Sequence, residues 1–266
     1  MGYQNRLPPE GINVVERGWQ RDFWVAVAGF IAGAALLIWL LIQLAGWAAR
    51  WTPFHWEQRW AEPFIEQRAH PAQPYLQDLA DRLAEAGGLD EPLNVTVHYR
   101  PDTTLNAYAT LGGHVFILQG LLDTVESEQG LAFVLAHEIA HIQERHPVRA
   151  MARELSFQVV FGLLFGRSDA GYLVGMGGQL AMLEYSRDQE YAADAWALEA
   201  LYNLYGHTDG AYELFHALDS HHAVPQWLTT HPETHRRIAR LESLAQSRGW
   251  HTRGPLIPLP EWPQGE

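Results

Sequence analysis

The chain contains no cysteine and no lysine. Without cysteine there are no disulfides and no thiolate ligands, so a transition-metal site here has to be built from histidine and carboxylate. Without lysine, all 18 positive charges fall to arginine, against 31 acidic residues, and the formal net charge is −13. That balance excludes a nucleic-acid partner, because binding phosphates needs a concentrated basic face and these arginines are scattered. No internal repeat is visible, which excludes a solenoid. Compartment is not readable from the cysteine count, since a thiol-free chain suits cytoplasm and periplasm equally.

Charge is also missing from residues 23–49, where Gln43 is the one strongly polar side chain. The stretch exceeds the ~20 residues that a helix needs to cross ~30 Å of hydrocarbon. Trp19, Phe23 and Trp24 at one end and Trp47 and Trp51 at the other supply interfacial aromatic belts. The run is too long for a cleaved signal sequence, so an uncleaved single-pass anchor contacting the lipid bilayer is expected. Gly29 and Gly33 form a GxxxG pair that lets two such helices approach, a possible route to a homo-oligomer. Arg6, Arg17 and Arg21 before the span balance Arg50, Arg59 and Arg68 after it. A short tail before one long domain tilts the expectation toward tail inside and domain outside, in the periplasm of a bacterial inner membrane.

With 47% hydrophobic residues and 11 tryptophans, 10 tyrosines and 10 phenylalanines, the rest suffices for one core. The expected order is an amino-terminal tail over 1–22, an anchor over 23–49, an irregular interfacial linker over 50–71, a catalytic domain over 72–250 and a proline-rich tail over 251–266. Periodicity places a helix over 75–85, ended by Gly87 and Gly88. Alternation over 93–99, and over 107–118 with a break at Gly112-Gly113, predicts a small antiparallel sheet. Helices are then expected over 128–146, 148–165, 172–204, 209–219 and 232–247, the last opened by Pro232. The apolar run 155–165 is too short to span a bilayer and reads first as a buried core helix; the other reading is a hairpin, reaching about Leu183, that dips into the membrane surface. The tail from His251, with Pro255, Pro258, Pro260 and Pro263, is expected to be extended or disordered. The fold class is α+β, mostly helical.

The chemistry concentrates at His137-Glu138-Ile139-Ala140-His141, an HExxH motif inside a helical run. The i, i+4 spacing puts both imidazoles on one face, able to grip one metal, with Glu138 directed at a metal-bound water. An open catalytic zinc site needs a third protein ligand. A metzincin would need glycine at 144 and histidine at 147, where this chain has Glu144 and Pro147. His146 therefore reads as a helix-end residue, an outer partner of the site, or an ordinary solvated histidine. In the segment from Tyr185 to Asp194, Glu190 and Asp194 lie four apart; one carboxylate can bind metal and the other can accept the free N–H of a ligand histidine. His231, just ahead of a helix start, can donate to the oxyanion that forms as water adds to a carbonyl, cap the metal in a resting state, or simply cap the helix.

HExxH, the run from Ser186 to Asp194, the run from Thr230 to Ile238 and the segment from Asn106 to Leu122 occur in an order that resembles the zinc metallopeptidases of the HtpX and CAAX prenyl protease type. The resemblance covers about 72–248. It implies a zincin-like (gluzincin) metalloprotease fold, one Zn2+ per chain, Glu190 as third ligand and Asp194 supporting a ligand histidine. It aligns the family's His-Pro motif with His231-Pro232 and implies that Arg237 helps order the site. It also implies that Asn106, Ala107, Tyr108 and Ala109 form an edge strand taking polypeptide substrates as an added strand, a mode with clear physical sense. The chain departs in offering one certain span where those relatives carry several. The expected function is a membrane-anchored zinc metalloendopeptidase acting on misfolded or misassembled membrane or envelope proteins. The other reading is a zinc-containing chaperone-like binding or assembly factor.

Overall fold

The computed structural model describes residues 18–49, 51–65, 70–165, 185–220, 227, 229, 231 and 234–262. The expectations for the first 17 residues, for the far arm of a hairpin reaching Leu183 and for Pro232 lie outside them.

Helix α1, Trp19–Ala49, has a mean hydropathy of 2.6 over its most apolar window, and none of that window is buried by the rest of the chain. Its 31 residues extend about 46 Å, ample for the expected span. At Gly29 and Gly33 the described residues place nothing beyond the helix's own nearby backbone within 4 Å of where a Cβ would stand.

The expected irregular linker is instead a helix, α2, Phe54–Ala61, followed by a short 3-10 turn over Glu62–Phe64. Phe54, Glu57 and Ala61 are buried, a stripe at i, i+3 and i+7. The stripe escapes a hydropathy reading because Glu57 interrupts it. Its burial is offset chiefly by the guanidinium of Arg145, a partner remote in sequence, with a further hydrogen bond from the Gly112 backbone.

Helix α3, Gln73–Gly87, ends at Gly88, which takes the left-handed conformation (φ 71°). Strands β1 (Thr96–Arg100), β2 (Ala107–Ala109) and β3 (His114–Leu118) form one sheet in the order β1-β3-β2. β2 and β3 pair antiparallel, but β1 pairs with β3 in parallel, so the sheet is mixed rather than antiparallel. Gly112 and Gly113, with φ of 74° and 80°, make the β2–β3 turn against α2; a Cβ on Gly113 would come within 2.0 Å of the Asn94 carbonyl oxygen.

A short α4 (Gln119–Leu122) leads to α5, Glu128–Gln143, in which every residue from Glu128 to Ile142 is buried. Helices α3 and α5 pack on the sheet through β1 and β2, and α7, Arg187–Tyr205, packs on both helices. Helix α7 begins afresh, which corrects the expected continuous run over 172–204. Ser186 caps it, accepting from the Gln189 N–H while the Gln189 side chain accepts from the Ser186 N–H. Helices α8 (Glu213–Ser220) and α9 (Thr234–Arg248) complete the domain.

Helix α6, His146–Phe165, packs along α1 rather than inside the core, and Val159 in its apolar half is 56% exposed. At Val159 the helix thus departs from the reading of 155–165 as a buried core helix. Ala49 at the end of α1 meets Val148 near the start of α6, together with Ala61 and Leu111, so the two helices run antiparallel from this junction.

Residues 251–262 form an extended strap across the amino-terminal end of α5. The Glu128 N–H donates to the Ile257 carbonyl at 2.7 Å, and Ser127 and Pro258 form an antiparallel bridge. The Gln129 side chain accepts from the Ile257 N–H and donates to the Pro255 carbonyl. The proline spacing that forbids helix thus yields an extended segment, with one isolated bridge, that satisfies donors left open at a helix start.

Candidate metal centre

Helix α5 is buried on every side along an apolar run from Leu131 to Ala136, so it sits at the centre of the domain and carries His137, Glu138 and His141 with it. All three have no exposed surface. The next turn of the site comes from α7, which brings Glu190 (0% exposed) and Asp194 (3%). His231 follows the helical turn begun at Trp227, its N–H donating to the Trp227 carbonyl at 2.8 Å.

Four donor groups converge. His137 Nε2 and His141 Nε2 are 3.1 Å apart, and each lies 3.5 Å from a carboxylate oxygen of Glu190. His231 Nδ1 stands 3.3 Å from His137 Nε2 and 3.0 and 3.1 Å from the two Glu190 oxygens. One ligand atom from each of the four groups lies within 4.8 Å of all the others. Donors on a tetrahedron with zinc bonds of about 2.0–2.2 Å would be separated by about 3.3–3.6 Å, and the spacings of 3.0–3.5 Å here lie within a few tenths of an ångström of that. Charge points the same way. The Arg237 guanidinium faces three buried carboxylates, Glu138, Glu190 and Asp194, so with neutral histidines a divalent cation brings the buried cluster to neutrality.

The surrounding contacts orient the donors. Asp194 Oδ1 lies 3.0 Å from His137 Nδ1, leaving Nε2 for the metal. Asp194 is itself gripped by Arg237, whose Nε and Nη2 donate at 2.8 and 2.6 Å. Arg237 is 1% exposed, reaches Glu190 at 3.0 Å and donates to the His231 carbonyl. The Asp194 carboxyl is pushed upward by burial, but the Arg237 charge outweighs this and holds it below the usual carboxylate range. Burial likewise works to raise Glu190, but its contacts with His231, His137 and His141 outweigh this and hold it well below the usual carboxylate range.

Glu138 points to the other side of the donors. Its Oε2 accepts from the Ala109 N–H at 2.7 Å, and its Oε1 lies 3.6 Å from His231 Nε2. Burial raises its carboxyl above the usual value, with His231 and His137 pulling the other way. The Ala109 bond also identifies the free side of the sheet. Leu118 N–H donates to the Asn106 carbonyl and Thr110 N–H to the His114 carbonyl, so Asn106, Tyr108 and Thr110 bond to β3 while Ala107 and Ala109 face outward. The Asn106 side chain is 1% exposed, and both of its polar atoms lack a partner among the described residues.

The structure therefore brings together all the metal-site residues singled out in the sequence: His137, His141, Glu190, Asp194, His231, Arg237 and Glu138. Asn106 to Ala109 border the site as an edge strand. Two further neighbours had no assigned role. Tyr185 stacks on His141 at 3.9 Å, and Trp227 stacks on His231 at 4.1 Å. Trp227 could have been suspected from its position four residues before His231 in an apolar stretch; Tyr185, just ahead of a helix cap, carries no such signal.

A model of peptidase family M48 matches residues 71–245. Over 185 residues the chain is 28% identical to the mitochondrial metalloendopeptidase OMA1 of Schizosaccharomyces pombe, covering 65% of this chain and 53% of that protein. Over 219 residues it is 28% identical to a protease HtpX homolog of Salinibacter ruber, with 68% and 78% covered. A putative beta-barrel assembly-enhancing protease of Vibrio cholerae is 29% identical over 181 residues, covering 62% of this chain and 37% of that one. The chain thus spans about half the length of the first relative and little more than a third of the last.

Proposed function

The chain belongs to peptidase family M48, and on that premise we propose that it is a membrane-anchored zinc metalloendopeptidase in which His137, His141 and Glu190 hold the metal. The observation that carries this reading is the convergence of four buried donor groups beside the Glu138 carboxylate. Zinc held there would supply Lewis acidity, lowering the proton affinity of water and polarising a peptide carbonyl.

Glu138 takes the proton of the attacking water and passes it to the leaving amine, for which its raised carboxyl is suited. Asp194 holds His137 in the tautomer that frees Nε2, and Arg237 holds Asp194. His231 serves twice. With its Nδ1 among the donors it completes a four-ligand, closed set, a resting arrangement. Once withdrawn from that position, it donates to the oxyanion. The substrate pairs as an extended strand along β2, using the outward groups of Ala107 and the Ala109 carbonyl, with Asn106 hydrogen-bonding to it.

The bilayer takes α1 and the apolar half of α6 that runs beside it. His146 at the start of α6 touches His141, so with α1 in the bilayer the metal centre would lie close to the membrane surface, a location the contact supports. Misfolded or misassembled membrane and envelope proteins are the substrates this location favours. The Vibrio cholerae relative is named as a putative beta-barrel assembly-enhancing protease, which supports a role toward proteins under assembly, and a catalytic domain facing the periplasm is the arrangement that suits such substrates. The test is the full chain in detergent against unfolded casein. Glu138→Gln should keep its zinc and lose at least about 100-fold in cleavage rate. Unchanged cleavage by that variant would remove the general-base assignment.

A further inference from the structure

The mechanism above leaves unused the buried imidazole that lies beside ligand His141. His146, the first residue of α6, is 2% exposed, and its Nδ1 lies 2.8 Å from Nδ1 of His141. The Nε2 of His141 faces the other donors, at 3.1 Å from His137 Nε2 and 3.5 Å from Glu190. A ring that offers its Nε2 lone pair to a metal carries its single proton on Nδ1. That proton lies on the short path to His146, whose own Nδ1 must then be an acceptor, with its proton on Nε2. The two ligand histidines are therefore backed by different groups: His137 by the Asp194 carboxylate at 3.0 Å, His141 by a neutral imidazole.

We propose that His146 is a positioning residue of the metal centre, the acceptor that fixes the tautomer and rotation of ligand His141. The assignment rests on the zinc site proposed above. Two features argue that this imidazole is built in rather than incidental. First, charge: zinc, Arg237 and the three carboxylates already sum to zero, so a carboxylate at 146 would leave a negative charge buried without compensation, whereas an imidazole supplies the acceptor at no charge.

Second, the turn that carries His146 is held from outside. Arg145 adopts a left-handed conformation (φ 57°), which a non-glycine residue keeps only when its surroundings enforce it. Its guanidinium donates to the Thr52 carbonyl at 2.8 Å and to buried Glu57, and it lies over the Phe54 ring. His146 is thus set in place by α2, immediately after the membrane anchor, while Tyr185 fixes the face of the His141 ring. The orientation of one metal ligand is in this way tied to the docking of the membrane-proximal segment.

Three full-length proteins in detergent test this: wild type, His146→Asn, whose Oδ1 stands near the position of the lost Nδ1, and His146→Phe, which keeps a ring but offers no acceptor. Zinc affinity is read by competition with a chromogenic chelator, and folding by melting without metal. The expected result is a loss of 10- to 100-fold in affinity for His146→Phe and near wild-type affinity for His146→Asn, with similar metal-free melting. In 15N-histidine spectra of the zinc-loaded wild type, His141 should carry a slowly exchanging Nδ1–H; this reading needs no variant to fold. Equal affinities for His146→Phe and wild type, or a His141 proton on Nε2, would overturn the assignment while leaving the zinc site standing. A wild type that binds no zinc would overturn both.

Discussion

The amide N–H of Ala109 donates to Oε2 of Glu138 over 2.7 Å, so the edge strand and the proposed general base are joined by one hydrogen bond. The donor points away from β3, and proline is tolerated on an edge strand at such a position. Ala109→Pro therefore removes this bond while leaving the ladder in place. Because hydrogen bonds to charged groups contribute ~1.5–3 kcal/mol, kcat should fall about 10- to 100-fold with zinc content unchanged. Steady-state cleavage of casein beside metal analysis checks it, and an unaltered kcat would show that the bond does not orient the base.

Asp194 and Arg237 form a bidentate pair in which both side chains are almost wholly buried. Arg237→Leu strands the carboxylate without its partner, which costs ~3–5 kcal/mol in comparable buried pairs. Melting in detergent should show that loss. Arg237→Lys should recover only part of it, because an ammonium cannot reproduce the two parallel bonds.

The strap over 251–262 is expected to stabilise the helix that bears the HExxH motif. Deleting residues 251–266 removes the bonds of Ile257 and Pro255 to α5 and those of His251 and Gly254 to Thr208 and Asp209. At ~0.5–1.5 kcal/mol each, a loss of several kcal/mol follows, with faster proteolysis near Ser127. A deletion variant that melts like the full chain would reduce the strap to a passenger.

At the same end of α5, Glu128 accepts from Tyr75 at 2.6 Å, Tyr205 at 2.7 Å and Arg82 at 3.2 Å. Burial works to raise its carboxyl, but these partners hold it below the usual value. A depressed carboxyl contributes stability that is complete above the unfolded pKa and fades as pH falls through the folded one. Glu128→Gln should thus be less stable by ~1–3 kcal/mol at neutral pH. The difference between variant and wild type should close below about pH 4. A constant difference across that range would mean that the ionised carboxylate is not the stabilising species.

Hydropathy pointed to α1, and the i, i+4 spacings of His137 with His141 and of Glu190 with Asp194 pointed to a metal site; that Glu190 rather than Asp194 takes the metal, and that Arg237 and the strand from Asn106 to Ala109 serve it, came from the resemblance to a family. What stayed hidden depends on partners distant in the chain. The buried stripe of α2 includes Glu57, legible only once Arg145 is seen to meet it. The alternation of β1 assigns its faces but not its neighbour, so its parallel pairing with β3 was missed. The start of α7 was a different omission: Ser186 followed by Gln189 is a capping-box signature, overlooked inside a longer apolar pattern. The contact of His146 with His141 turns on the conformation of Arg145, which no spacing rule supplies.

The central claim is tested most directly by the zinc content of the purified full chain in detergent, measured beside Glu190→Ala. About one zinc per wild-type chain is expected, since the four donor groups form one cluster, with a clear loss in the variant. A wild-type protein that neither retains nor takes up zinc, or a Glu190→Ala variant that holds it as tightly as wild type, would mean that these residues are not a zinc site.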